Sequence, residues 1–243
     1  MKGHTVARRP TGAGRAALAA YRHTPPATRL HATVRWWSAP FPAVEDVLPS
    51  TGRILEIGCG HGLFSTYAAL AGPARAVRGV DIDSAKIAEA TEVAGRLTGV
   101  DLSFNEATSG AVATGPWDAI VIIDMLYLLP AAQQRELLAA AAAQLAPGGE
   151  LVIKEMSPTP HWKARWNVLQ ETLAVSILGI TERAGSVADE SDGPSRPRFD
   201  FVGTEVVADW LRELGLATAG RRLDRHRLHP HHLLIGRRAG PAG

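Results

Sequence analysis

Between Ile54 and Gly62 the chain reads Ile-Leu-Glu-Ile-Gly-Cys-Gly-His-Gly, a short apolar run that breaks into three glycines at alternate positions. The run Arg53–Ile57 has the length and bounds of a buried strand, and His61–Ala71 has the apolar periodicity of a helix. A strand that turns through glycines into a helix opens a βαβ unit. Glycine lets the backbone bend sharply and lets a ligand lie against it with no Cβ in the way. The helix that follows offers unpaired N–H groups at its N-terminus. This one segment predicts an α/β fold with a ligand at the carboxyl end of its first strand.

The rest of the chain continues the alternation. Ala76–Val80 reads as a strand, Ser84–Leu97 as a helix and Leu102–Asn105 as a weaker strand. Asp118–Ile123 is a strongly β-branched run, as suits a central strand buried on both faces. Ala131–Leu145 reads as a helix stopped by Pro147-Gly148-Gly149, and Glu150–Lys154 as the fifth strand. Thr204–Leu214 is a helix, and Ala217–Leu223 with His231–Arg237 form a closing antiparallel pair. The expected fold is a doubly wound, mostly parallel seven-stranded sheet with helices on both faces. Residues 1–14 carry Gly and Pro without periodicity and read as disordered, while 15–23 and 27–38 read as short helices. We divide the chain into an arm, 1–48, and a domain, 49–243, with an inserted helical cap at 156–203.

The glycine spacing bears on the ligand. A dinucleotide fingerprint is G-x-G-x-x-G, whereas here it is G-x-G-x-G with Leu63 where the last glycine of that motif would fall. Glu56, two residues before Gly58, would repel a pyrophosphate but suits a cationic amino-acid group, as in S-adenosylmethionine. Asp81 ends the second strand, where a carboxylate accepts hydrogen bonds from ribose hydroxyls. The alternative for Asp81 is a helix N-cap, a task that Asp83 or Ser84 can perform instead.

Glu56-x-Gly58-x-Gly60-x-Gly62 followed by Gly79-Val80-Asp81-Ile82-Asp83 resembles the class I S-adenosylmethionine-dependent methyltransferases. Asn105-Glu106-Ala107, Trp117–Val121 with Asp124-Met125-Leu126-Tyr127, and Leu145-Ala146-Pro147-Gly148-Gly149 resemble further segments of that family in the same order. The resemblance covers about residues 50–155. It implies S-adenosyl-L-methionine as cofactor, a Rossmann-like methyltransferase fold, and roles by position. Gly58, Cys59, Gly60 and Gly62 would lie against the methionine part. Asp81 and Ile82 would meet the ribose and its surroundings, and Glu106 and Ala107 the adenine. Asp124 and Met125 would lie beneath the amino-acid end, with Glu56 close by. Cys59 would face the ligand by position; as a nucleophile it would need a basic partner, and His61 is the nearest in sequence. No metal is expected: His226, His229, His231 and His232 match no compact zinc spacing.

Methyl transfer from a sulfonium mainly requires that the acceptor be held in line and, where needed, deprotonated. His161 and Tyr127, which follow the fifth and fourth strands, are the candidate bases, each with a plain packing alternative. Trp162, Trp166, Leu169, Leu173, Ile177 and Ile180 fall on one face of a helix over 161–180. That face suits a core, a lid over an apolar acceptor aided by Trp36-Trp37, or a helix lying on a membrane. The favoured reading is methylation of a small apolar or aromatic metabolite at oxygen or carbon. Seven basic residues precede the first acid, Glu45, leaving 19 basic against 24 acidic residues, a net of −5. Such an arm allows RNA or protein as an alternative acceptor. The loop after the fourth strand nevertheless lacks the Asn/Asp-Pro-Pro-aromatic pattern of enzymes that methylate planar amino nitrogens. A scaffold that binds the cofactor without catalysis, or a non-methylating reaction such as cyclisation, are further alternatives. One cysteine allows no internal disulfide, no apolar run reaches the ~18 residues of a bilayer span, and no apolar stretch follows Arg8-Arg9, so a cytoplasmic chain is expected. Oligomeric state is left open. Calorimetry should show binding of S-adenosylmethionine and its demethylated product and none of NAD; binding of NAD alone would overturn the reading of the glycine spacing.

Overall fold

The computed structural model describes residues 10, 12–156, 200–223 and 231–240. Three helices, α1 (Gly12–Ala20), α2 (Pro26–Ser38) and α3 (Phe41–Glu45), precede the sheet, with a 3-10 turn at Tyr21–His23. Then follow β1 (Gly52–Ile57), α4 (Leu63–Ala71), β2 (Arg75–Asp81), α5 (Ser84–Gly95), β3 (Asp101–Glu106) and β4 (Trp117–Ile123). A 3-10 turn at Leu126–Leu128, α6 (Ala131–Ala143), β5 (Leu145–Met156), α7 (Thr204–Glu213), β6 (Ala217–Arg222) and β7 (His231–Arg237) complete the described chain. The helix expected over 161–180 and most of the cap expected at 156–203 lie outside the described residues.

The seven strands run in the order β3-β2-β1-β4-β5-β7-β6. β1 to β5 pair in parallel, and β7 is antiparallel to both β5 and β6. The fold is therefore the doubly wound α/β sheet that the alternation of elements predicts. Alternate side chains supply two cores. Ile54, Val77, Val121 and Val152 face α1, α2 and α4. Leu55, Ile120, Ile122 and Leu151 face α6 and α7. Ala119 to Ile122 of β4 have no exposed surface, which explains a strand without polar alternation. Among the described residues no helix is long and apolar enough to cross a membrane.

Two local expectations change. The helix expected to reach Leu145 stops at Ala143, because β5 already begins at Leu145 and Leu145 pairs with Trp117 across a register shift. Pro147-Gly148-Gly149 thus lies within the irregular first part of the strand. Residues 12–14, expected to be disordered, are the first turn of α1. Gly14 is buried there against Trp36, and a Cβ on it would come within 2.4 Å of the indole ring. The glycine that reads as a turn signal instead permits a close helix approach.

The N-terminal helices share the main core. Ala17, Tyr21, Ala32, Trp36, Phe41 and Val44 belong to one buried cluster with Ile54 and Val121. Trp36 is set edge-on to Phe41 and to Tyr67, at ring distances of 5.9 and 5.0 Å. Trp36→Ala should lower stability by about 3–5 kcal/mol in urea unfolding, with one cooperative transition. A midpoint equal to that of the wild type would mean that α2 does not belong to the cooperative core.

Candidate active site

Strand register brings the ends of four strands to one edge. Ile57 of β1 pairs with Val80 of β2 and with Ile122 of β4, and Asp81 pairs with Glu106 of β3. The segments that follow, Gly58–Gly62, Ile82-Asp83, Ala107 and Asp124-Met125, therefore meet along the carboxyl edge. The chain reverses its winding there, between β1 and β4, which is where open α/β sheets hold ligands.

The loop after β1 is pinned from several sides. Gly58 N–H and Cys59 N–H both donate to the Val80 carbonyl, at 2.8 and 3.0 Å. Gly58, Gly60 and Gly62 have φ of +74°, +54° and +76°, in the left-handed region that L side chains avoid. A Cβ on Gly58 would come 2.7 Å from Cγ of Met125, so glycine is required there. A Cβ on Gly60 would meet nothing within 4 Å: it would project into the space above the loop.

Two carboxylates hold this shape. Oδ2 of Asp81 accepts Gly60 N–H at 2.7 Å, and Oδ1 accepts Asp83 N–H at 3.0 Å. Asp83 itself caps α5, accepting from Ala85 and Lys86 N–H, so Asp81 is not the helix cap. A carboxylate has about four lone-pair sites, so these two bonds leave Asp81 capacity for more donors. Glu56 is buried behind the loop, where Oε2 accepts from Ser65 N–H at 2.9 Å and from Ser65 Oγ at 2.5 Å. Burial pushes its pKa up to about 8, against the opposing pull of the two Ser65 bonds.

Asp124 closes the other side of the cleft. It adopts φ +51°, the one non-glycine in the left-handed region among the described residues. Its carboxylate accepts from Nζ of Lys154 at 2.5 and 2.6 Å and from Nη1 of Arg35 at 2.7 Å. Burial alone would push this carboxyl up; the Lys154 and Arg35 charges reverse that and hold it at about 2. Burial pushes Lys154 downward, against the pull of Asp124. Glu155, the next residue of β5, accepts from Met125 and Leu126 N–H at 3.3 and 3.0 Å. Asp124 thus spends its charge within the protein, tying α2 to β4 and β5.

The remaining sequence candidates fall as follows. Ile82 is exposed beside Asp81, and Glu106 is exposed at the end of β3. Ala107 N–H donates to the Asp81 carbonyl at 2.9 Å. Cys59 is buried, which pushes its thiol pKa upward, and Nδ1 of His61 lies 3.0 Å from Oε2 of Glu89, so among the described residues nothing prepares Cys59 as a nucleophile. Tyr127 is buried and stacked on Phe201, with centroids 5.0 Å apart and rings 13° from parallel. Burial pushes its phenol pKa well above the ordinary value, which suits packing better than proton transfer. Behind it lies a cavity of ≈ 60 Å³ lined by Tyr127, Glu155, Phe201, His232 and Leu234 among others. His161 lies outside the described residues, as do His226 and His229. Sequence reasoning did not find Arg35, Lys154 or Glu155. A lysine inside the apolar run of β5 was the available signal, since an interior strand position buries its side chain.

The residues present fit S-adenosylmethionine. The space over Gly60, the remaining acceptor capacity of Asp81 and the exposed apolar Ile82 supply room, a ribose partner and an apolar wall on one edge.

Comparison with known proteins agrees with this geometry. A family model described as a methyltransferase domain matches residues 31–216. The ubiquinone biosynthesis O-methyltransferase of Xanthomonas axonopodis pv. citri is 25% identical over 199 residues, covering 75% of each chain. Its counterpart from Marinobacter nauticus is 27% identical over 145 residues, covering 52% of this chain and 59% of that protein. This chain therefore spans between 59% and 75% of the length of these two relatives. An O-methyltransferase family protein from Burkholderia thailandensis superposes with a TM-score of 0.60 at 18% identity, covering 97% of this chain and 66% of that one.

Glu56→Gln tests the inner carboxyl. Folded Glu56 titrates near 8 and an unfolded glutamate near 4.5. Below 4.5 both states are protonated. As pH rises towards 8 only the unfolded chain ionises, so the contribution of Glu56 to stability falls across that window. Glutamine does not titrate. Urea midpoints of the wild type should therefore decline relative to Glu56→Gln between about pH 5 and about pH 8. Parallel profiles would place the Glu56 carboxyl in water.

Proposed function

The chain belongs to the class I S-adenosylmethionine-dependent methyltransferases, and from that premise we propose that it methylates a small apolar or aromatic metabolite, at oxygen in the first instance. The observation that carries this reading is the kinship with ubiquinone biosynthesis O-methyltransferases over three quarters of each chain. Methylation at carbon is the second form of the same reading, because the described residues contain no feature that selects between the two atoms.

When bound, S-adenosylmethionine supplies a methyl group on a sulfonium. The chain supplies position. Asp81 accepts from the ribose hydroxyls with the lone pairs left by Gly60 and Asp83. The backbone of Gly58–Gly62 and the side chain of Met125 border the methionine end, while Ile82, Glu106 and Ala107 border the adenine. Glu56 and Asp124 act through the loops they hold, since both carboxylates are already engaged inside the protein. Proton removal from the acceptor is assigned to His161, which follows β5 in the chain. Tyr127, neutral and stacked, serves as a wall.

The helices of the arm over 1–48 share the core of the domain over 49–243, while the cap over the acceptor at 156–203 is part of the proposal. Both ends of that segment support it. β5 delivers the chain to the carboxyl edge at Met156, and the chain returns there at Asp200. Asp200 N–H donates to the Tyr127 carbonyl at 3.1 Å, and its Oδ2 accepts from Ala131 N–H at 2.9 Å. A segment fixed at both ends beside the cleft is placed to cover an acceptor and exclude water. Nothing in the described chain favours RNA or protein as acceptor, and a cytoplasmic location remains part of the proposal.

Incubation with methyl-labelled S-adenosylmethionine and fractionated cell extract tests the substrate class. Label should enter the small-molecule fraction. Label confined to RNA or to protein would contradict it.

A further inference from the structure

Three of the large apolar side chains that the described residues expose lie on one helix. Leu30, Val34 and Trp37 of α2 are 65%, 54% and 51% exposed. Their spacing of four and three residues puts them on a single face. The opposite face is locked: Thr28, Ala32 and Trp36 are buried, Thr28 Oγ1 donates to Glu89 at 2.8 Å, and Arg35 pairs with Asp124. The helix cannot roll to hide its apolar stripe without breaking those contacts. Beside the stripe runs an open groove lined by Leu18, Arg22, Pro26, Arg29, Leu30 and Thr33, among others. Among the described residues neither arginine is paired with a carboxylate. No acid precedes Glu45 in the chain.

We propose that this face of α2 and the arginine groove dock on an anionic lipid bilayer. The chemistry is that of an interfacial helix: Leu30, Val34 and the amphipathic ring of Trp37 enter the headgroup boundary, and Arg22 and Arg29 meet lipid phosphates. Charge complementarity selects an anionic partner. The stripe selects a bilayer over an anionic polymer, because its only polar atom is the indole N–H, too little for reading bases or an acidic peptide. The location gives the docking a use. His31 of α2 lies with its ring 5.0 Å from that of His61 in the glycine loop, so α2 borders the cleft. A protein seated on this face holds the cleft mouth near the apolar phase. The proposal does not depend on methyl transfer, because its test reads binding alone.

The full chain is sedimented with vesicles of phosphatidylcholine, with and without phosphatidylglycerol. The wild type should partition onto the anionic vesicles only, and less so as salt is raised. The variants Leu30→Ser/Val34→Ser/Trp37→Ser and Arg22→Glu/Arg29→Glu should each lower the bound fraction by about tenfold or more, with melting temperature and affinity for S-adenosylmethionine unchanged. No binding of the wild type to anionic vesicles would overturn the proposal. Undiminished binding by the triple-serine variant would also overturn it. A wild-type dimer in solution that the triple variant dissolves would assign the stripe to a second copy of the chain, and binding to an RNA oligonucleotide without binding to vesicles would assign the groove to nucleic acid.

Discussion

A left-handed backbone at three alternate positions is unfavourable for any chain without glycine, and here it must also be kept in one shape. The carboxyl groups of Asp81 and Glu56 do so. Asp81 reaches across from β2 to Gly60 N–H, and Glu56 reaches forward from β1 to Ser65 in the first turn of α4. The loop, the strand before it and the helix after it are thereby fixed to the neighbouring strand. Contacts within the protein hold the edge where a cofactor can lie, and such preorganisation limits the entropy lost on binding. Sheet register places the other walls, since Asp81 and Glu106 end the paired strands β2 and β3 and Asp124 follows β4 on the far side of β1.

A second polar knot lies at the end of β4. Asp124 serves two cations from distant parts of the chain, Arg35 in α2 and Lys154 in β5. A buried ion pair adds little net stability over an apolar replacement, but losing one partner strands a charge and costs about 3–5 kcal/mol. The cluster thus works as a specifying contact. It sets α2 against the sheet and holds the turn that places Met125 against Gly58. The N-terminal helices, basic in sequence and easily read as an appended arm, are in this way part of the wall of the cleft.

Much of this was legible from residues alone, for identifiable reasons. The strand–glycine–helix signature is local, and β4 announces itself by being apolar at every position from Ala119 to Ile123. The contrast between Asp81 and Asp83 could be argued because N-capping has a short sequence range. What escaped was long-range. Glu56 read as a partner for a cationic ligand, whereas the structure turns it inward to Ser65, nine residues on, a direction that no spacing rule gives. Asp124 read as a ligand contact because the charges that occupy it come from 89 residues before and 30 after. Gly14 read as disorder because only the fold shows the indole of Trp36 against it. Tyr127 read as a possible base because its burial and its stack on Phe201 depend on a segment more than seventy residues away.

The central claim is that Asp81 both shapes the glycine loop and receives the ribose of S-adenosylmethionine. Calorimetry of Asp81→Ala and Asp81→Asn, with folding checked by circular dichroism, tests it directly. Loss of the charge-assisted bonds should weaken S-adenosylmethionine binding by about 1.5–3 kcal/mol in the alanine variant, with a smaller loss for asparagine. Wild-type affinity in a folded Asp81→Ala protein would contradict the account and move the ribose contact away from the end of β2.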